Sequence, residues 1–74
     1  MCLGVPGKVV DVEEGPLRMG HVAFGDVLKE VSLVFVPGAM PGDYVVVHAG
    51  TGLEVIDEAA ALRVFETWRQ MEEP

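Results

Sequence analysis

Apolar and polar residues alternate in short runs along most of the chain, then change near its end to a recurrence every three or four positions. The first pattern is that of half-buried strands and the second that of an amphipathic helix. The first strand reads Lys8-Val9-Val10-Asp11-Val12 and is closed by Glu13-Glu14-Gly15-Pro16. A second runs from Met19 to Phe24, with Val22 and Phe24 on one face and His21 and Ala23 on the other. Gly25-Asp26 is a hairpin signal. The third strand, Val27 to Val36, alternates unevenly: Val27, Val31, Leu33 and Phe35 share a face that Lys29 interrupts. Pro37-Gly38-Ala39-Met40-Pro41-Gly42-Asp43 cannot continue a strand and reads as a loop. The fourth strand, Tyr44 to Ala49, puts Val45 and Val47 on one face and Tyr44, Val46 and His48 on the other. Gly50-Thr51-Gly52 then turns the chain into a fifth strand, Leu53 to Ile56.

Asp57 suits a helix N-cap, and Glu58 sits where the helix dipole favours a negative charge. The helix is expected from Glu58 to about Met71, with Ala61, Val64, Phe65, Trp68 and Met71 forming one stripe. Such a stripe packs against the rest of the fold; Trp68 has a second reading as a partner anchor. The expected fold is mainly β, a small closed or half-closed barrel with one C-terminal α-helix, closure removing exposed strand edges. Residues 1–74 form one domain, with arm and barrel over 1–56 and helix over 57–71.

Composition narrows the function. Five Lys/Arg against twelve Asp/Glu give a net charge of −7, the wrong sign for gripping phosphate backbones, so nucleic acid is not an expected partner. No apolar run approaches the ~20 residues of a membrane span. Hydrophobic residues make up 50% of a chain of 74 residues. So small a domain has little interior, and some apolar surface is expected to remain exposed for docking.

The candidate chemistry lies at the start, in Met1-Cys2-Leu3-Gly4-Val5-Pro6-Gly7-Lys8. Cys2 is the single cysteine, so no internal disulfide forms, and the expected compartment is the reducing cytoplasm. No charged segment and apolar run precede Cys2, which sets aside a lipid-anchored cysteine. Removal of Met1 would give one residue a thiol and an α-amine together, two donors that suit a metal. Pro6 and Gly7 read as a rigid hinge that aims this arm. On residue type alone Cys2 is equally a small buried hydrophobe or part of a frayed terminus. His48, at a strand end, is the other candidate donor, or a histidine bonded to a neighbour. A cysteine–histidine pair also suits nucleophilic catalysis, but no third orienting group or pocket accompanies it. No enzyme activity is expected of the chain alone. His21 has no motif around it and reads as a surface residue.

The opening octapeptide closely resembles that of the HypC/HupF/HybG family of nickel–iron hydrogenase maturation chaperones. A second matching stretch is Gly42-Asp43-Tyr44-Val45-Val46-Val47-His48-Ala49-Gly50, followed by Val55-Ile56-Asp57-Glu58-Ala59-Ala60-Ala61. One departure is visible: the family's usual Phe-Ala after His-x-Gly is Thr51-Gly52 here, which removes a large apolar side chain beside His48. The resemblance implies an OB-like barrel. It further implies a cytoplasmic chaperone that binds a HypD-type scaffold protein and the precursor of the hydrogenase large subunit. Cys2 would help hold iron, transiently and as an Fe(CN)2CO unit shared with a partner, with His48 as second ligand or orienting residue. Cys2, Leu3, Gly4, Pro6, Gly7 and His48 would meet the partners. A metal-free adaptor that recognises the precursor is the alternative.

Overall fold

The computed structural model describes residues 4–72, with the side chains at 68, 71 and 72 outside the description. Five strands precede one helix: β1 (Val5–Glu13), β2 (Met19–Phe24), β3 (Val27–Ser32), β4 (Tyr44–His48), β5 (Thr51–Ile56) and α1 (Glu58–Glu72). The strands close into a barrel in the order β1-β2-β3-β5-β4. All neighbours are antiparallel except β3 and β5, which meet in parallel through the single pair Ser32↔Thr51. The mainly β barrel with one C-terminal helix is as the sequence pattern leads one to expect.

Inward-facing valines build the core. Val9, Val22, Val31, Leu33, Val36, Ala39, Val45 and Val47 form one buried cluster, each large member contributing on the order of 1.5–3 kcal/mol. Glycine makes room where strands cross closely. A Cβ on Gly7 would collide with Val22 and with Phe24, whose Cε1 lies 2.6 Å from that position, and one on Gly20 would lie 2.8 Å from Leu33 Cδ1.

Three expectations change. β1 begins at Val5 rather than Lys8, so Pro6 and Gly7 are buried strand residues, not a hinge: they pair with Val46 and Val45 of β4. Pairing of β1 with β2 is recorded only from Lys8 onward. Pro6 therefore stands where β1 has a partner on one side only, a place that tolerates its missing N–H. β3 ends at Ser32, not Val36. Beyond it the chain coils so that Leu33, Val36 and Ala39 are buried while Phe35 is 69% exposed. The turn between β4 and β5 is Ala49-Gly50, and Thr51 and Gly52 belong to β5. Ala49 and Gly50 take φ of 53° and 79°, the pair of positive values that defines a type I′ hairpin, whose twist matches that of the strands.

The β1 bulge lies between Val9 and Asp11 and is held from outside. The Val9 N–H donates to the Asp43 carbonyl and the Gly42 N–H to the Val9 carbonyl, both at 2.8 Å. The Asp43 carboxylate in turn accepts the Met40 N–H at 2.9 Å, so the Gly42-Asp43 pair locks the long loop to the barrel wall. α1 starts as expected: Asp57 Oδ1 accepts the Ala60 N–H at 2.7 Å. The helix contacts β1, with Ala61 fully buried and Val64 and Phe65 half-buried. Trp68 and Met71, the other members of the stripe, have side chains outside the description.

Candidate functional site

Register brings the start of β1 to the end of β4. Val5 pairs with Val47 and Pro6 with Val46; the next position outward is Gly4 on one side and His48 on the other. A Cβ on Gly4 would run into the Val46 side chain and come within 3.7 Å of the Val47 carbonyl oxygen. Glycine is thus required where the N-terminal segment crosses β4. His48 is exposed and is followed by the tight turn at Ala49-Gly50, with Thr51 paired opposite it. Of the expected site residues, Gly4, Pro6, Gly7 and His48 are gathered along the β1–β4 ladder. Cys2 and Leu3 lie outside the described residues.

The departure at Thr51-Gly52 has a visible setting. Thr51 makes the bridge to Ser32 that closes the barrel. Gly52 faces inward, where a Cβ would lie 3.2 Å from Leu33 Cδ2 and 3.4 Å from Val36 Cγ2. An alanine here is therefore tight but not forbidden.

At the same end of the barrel lies a trough of about 410 Å³, lined by Val5, Phe24, Val27, Val31, Val47 and the edge of the β4–β5 turn, with Lys29 and Glu30 also on its wall. It exists because β3 touches β5 only at Ser32, leaving the stretch from Val27 to Val31 apart from β4 and β5. Exposed apolar surface, expected from composition, is present here: Val5 and Val27 on the trough wall are both exposed. Its location was not read from the sequence, although Lys29 interrupting an apolar face was the signal.

A second, polar hollow of about 300 Å³ lies on the other side of the sheet, around Asp11, Glu13, His21 and Glu30. The Asp11 carboxylate accepts both the His21 backbone N–H at 3.1 Å and a hydrogen bond from Nδ1 at 2.9 Å. That side-chain bond holds the imidazole pKa above its ordinary value, the Asp11, Glu30 and Glu13 charges helping. The same bond pulls the Asp11 carboxyl below its ordinary value. His21 is a surface residue, as expected, but a paired one.

The described residues form a small closed β-barrel whose first strand starts beside the end of β4 that carries His48. The HupF/HypC family matches residues 1–68, and the chain belongs to that family. It is 45% identical over 64 residues to the hydrogenase maturation factor HypC of Synechocystis, covering 82% of this chain and 84% of that one. It is 32% identical over 76 aligned positions to the hydrogenase maturation factor HybG of Escherichia coli K12, covering 97% and 93%. HypC of Cupriavidus necator is 33% identical over 72 residues, covering 97% of this chain and 78% of that protein. Among the described residues no helix is long and apolar enough to cross a membrane.

Proposed function

We propose that this protein is a hydrogenase maturation factor that joins a HypD-type scaffold, helps assemble the Fe(CN)2CO unit there, and carries it to the large-subunit precursor. The observation that carries this reading is the family match, which runs from residue 1 to residue 68 and so includes Cys2 and His48. The relatives' shared designation as hydrogenase maturation factors supports the process. Covalent reach supports the pairing of the two residues. Two peptide steps of ~3.8 Å keep the Cys2 Cα within roughly 7.6 Å of the Gly4 Cα, and Gly4 is at the β4 end that carries His48. A thiolate suits iron. Two protein donors are too few to enclose a metal, so the iron unit is cargo shared with the scaffold. The protein acts by binding and delivery, not by turnover, in the cytoplasm where the precursor is made.

The test is to co-purify the chain with its scaffold and read iron content and the infrared bands of cyanide and carbonyl. Cys2→Ala is expected to remove both, and His48→Ala to weaken them. Iron and bands unchanged by Cys2→Ala would overturn the assignment. Retained precursor binding in that event would leave the metal-free adaptor, a reading the apolar trough beside His48 also favours.

A further inference from the structure

We infer that the open edge of β3 is a strand-addition site, taking an extended segment of a partner protein that presents apolar side chains flanking a carboxylate. This holds whether or not Cys2 binds iron. The backbone shows the vacancy in the ladder. The Ser32 N–H donates to the Gly50 carbonyl at 2.9 Å, so Ser32 faces away from β2. Backbone groups alternate sides along a strand, and the β2–β3 register is unbroken from Met19↔Ser32 to Phe24↔Val27. Glu30 and Leu28 therefore also turn their N–H and C=O groups away from β2. Among the described residues neither pairs with any strand on that side.

The side chains choose the occupant. Val27, Lys29 and Val31 share one face of β3 on the trough, which Phe24 lines beside Val27, Val5 and Val47 line from the far side, and Glu30 also borders. An added strand places alternate side chains next to these: apolar ones beside Val27 and Val31, and a carboxylate beside Lys29. Lys29 has no ion pair among the described residues. The lysine also argues against a second copy of this chain. Antiparallel pairing of two β3 edges through Leu28 and Glu30 sets Lys29 against Lys29, with two bodies of charge −7 behind them, and like charges directly opposed are destabilising.

The test uses the full chain and the capped heptapeptide Thr-Val-Thr-Asp-Thr-Val-Thr, with its central-Lys counterpart as control, read by amide hydrogen exchange and chemical-shift titration. Saturating Asp peptide is expected to slow exchange of the Leu28 and Glu30 amides about tenfold or more. The Lys peptide is expected to bind the wild type about fivefold or more weakly, the scale of a surface charge reversal. Lys29→Glu, at an exposed position, is expected to reverse the preference. Three results overturn the proposal: no slowing at these amides with either peptide at millimolar concentration, slow exchange already present in the dilute peptide-free chain, or slowing that grows with protein concentration alone. The second would mean the chain covers its own edge, and the third that copies pair there.

Discussion

Arg18 donates through Nη1 to the carbonyl of Val36 at 2.9 Å, across a separation of 18 residues. Nη2 reaches the Ala39 carbonyl at 2.8 Å, and Nε is paired with Glu14. The side chain is 12% exposed, so these carbonyls have little access to water. The loop that drops Leu33, Val36 and Ala39 into the core is thus tied to the β1–β2 connection by one guanidinium. Replacement of Arg18 by Met is expected to cost about 2–4 kcal/mol, the scale of losing two charge-assisted bonds to half-buried acceptors. Urea denaturation measures it, and an unchanged midpoint would show that the loop holds itself.

The Asp11–His21 pair makes stability depend on pH in a definite direction. The folded imidazole has its pKa raised above 6.5, so its contribution is complete below that value and fades as pH rises through the raised one. The folded carboxyl has its pKa lowered from 3.8, so its contribution is complete above that value and fades as pH falls through the lowered one. Both operate fully between 3.8 and 6.5. An NMR titration of His21 in Asp11→Asn is expected to move the imidazole midpoint down, toward its ordinary value. A midpoint that stays put would remove Asp11 as the cause.

Ala49 occupies a left-handed conformation, φ 53°, that side chains with a Cβ adopt at a cost of roughly 1–2 kcal/mol. Ala49→Gly is expected to raise stability by up to about 1 kcal/mol after the added flexibility of the unfolded chain is counted. Thermal melting reads the gain. Because this turn aims His48, the same variant is a sensitive probe of whether strain beside the histidine serves binding.

Gly7 has no room for a side chain against Val22 and Phe24. Gly7→Ala is expected to destabilise the barrel by about 1–3 kcal/mol, as overpacked cores do. Its loss of function would therefore report on folding. A Gly7→Ala protein with a wild-type denaturation curve would instead return Gly7 to the partner surface.

Much of this architecture could be read from residue order. Alternating valines located the strands, Asp57 located the start of α1, and the octapeptide at the start with the Gly42–Gly50 stretch pointed to the family. The second half of the expected third strand failed for a long-range reason. Leu33 and Phe35 alternate correctly for a strand, but that stretch coils through the Val36 N–H to Leu33 carbonyl bond, with Arg18 bonded to the Val36 and Ala39 carbonyls, and Phe35 faces outward. Pro6-Gly7 misled in the opposite sense. The dipeptide is a turn signal locally, yet β1 runs through it because β4 pairs along one side and the core needs a residue without a side chain. The trough was beyond any local pattern, since it is made by strands failing to meet.

Among the described residues, the rung between Ser32 and Thr51 is the one strand pairing across the β3–β5 seam. A clasp of one link can release while the β1–β2–β3 meander and the β4–β5 hairpin each keep their own ladders. The wall of this barrel is accordingly thinnest at that seam, while the β1–β4 ladder keeps the meander and the hairpin joined on the opposite side.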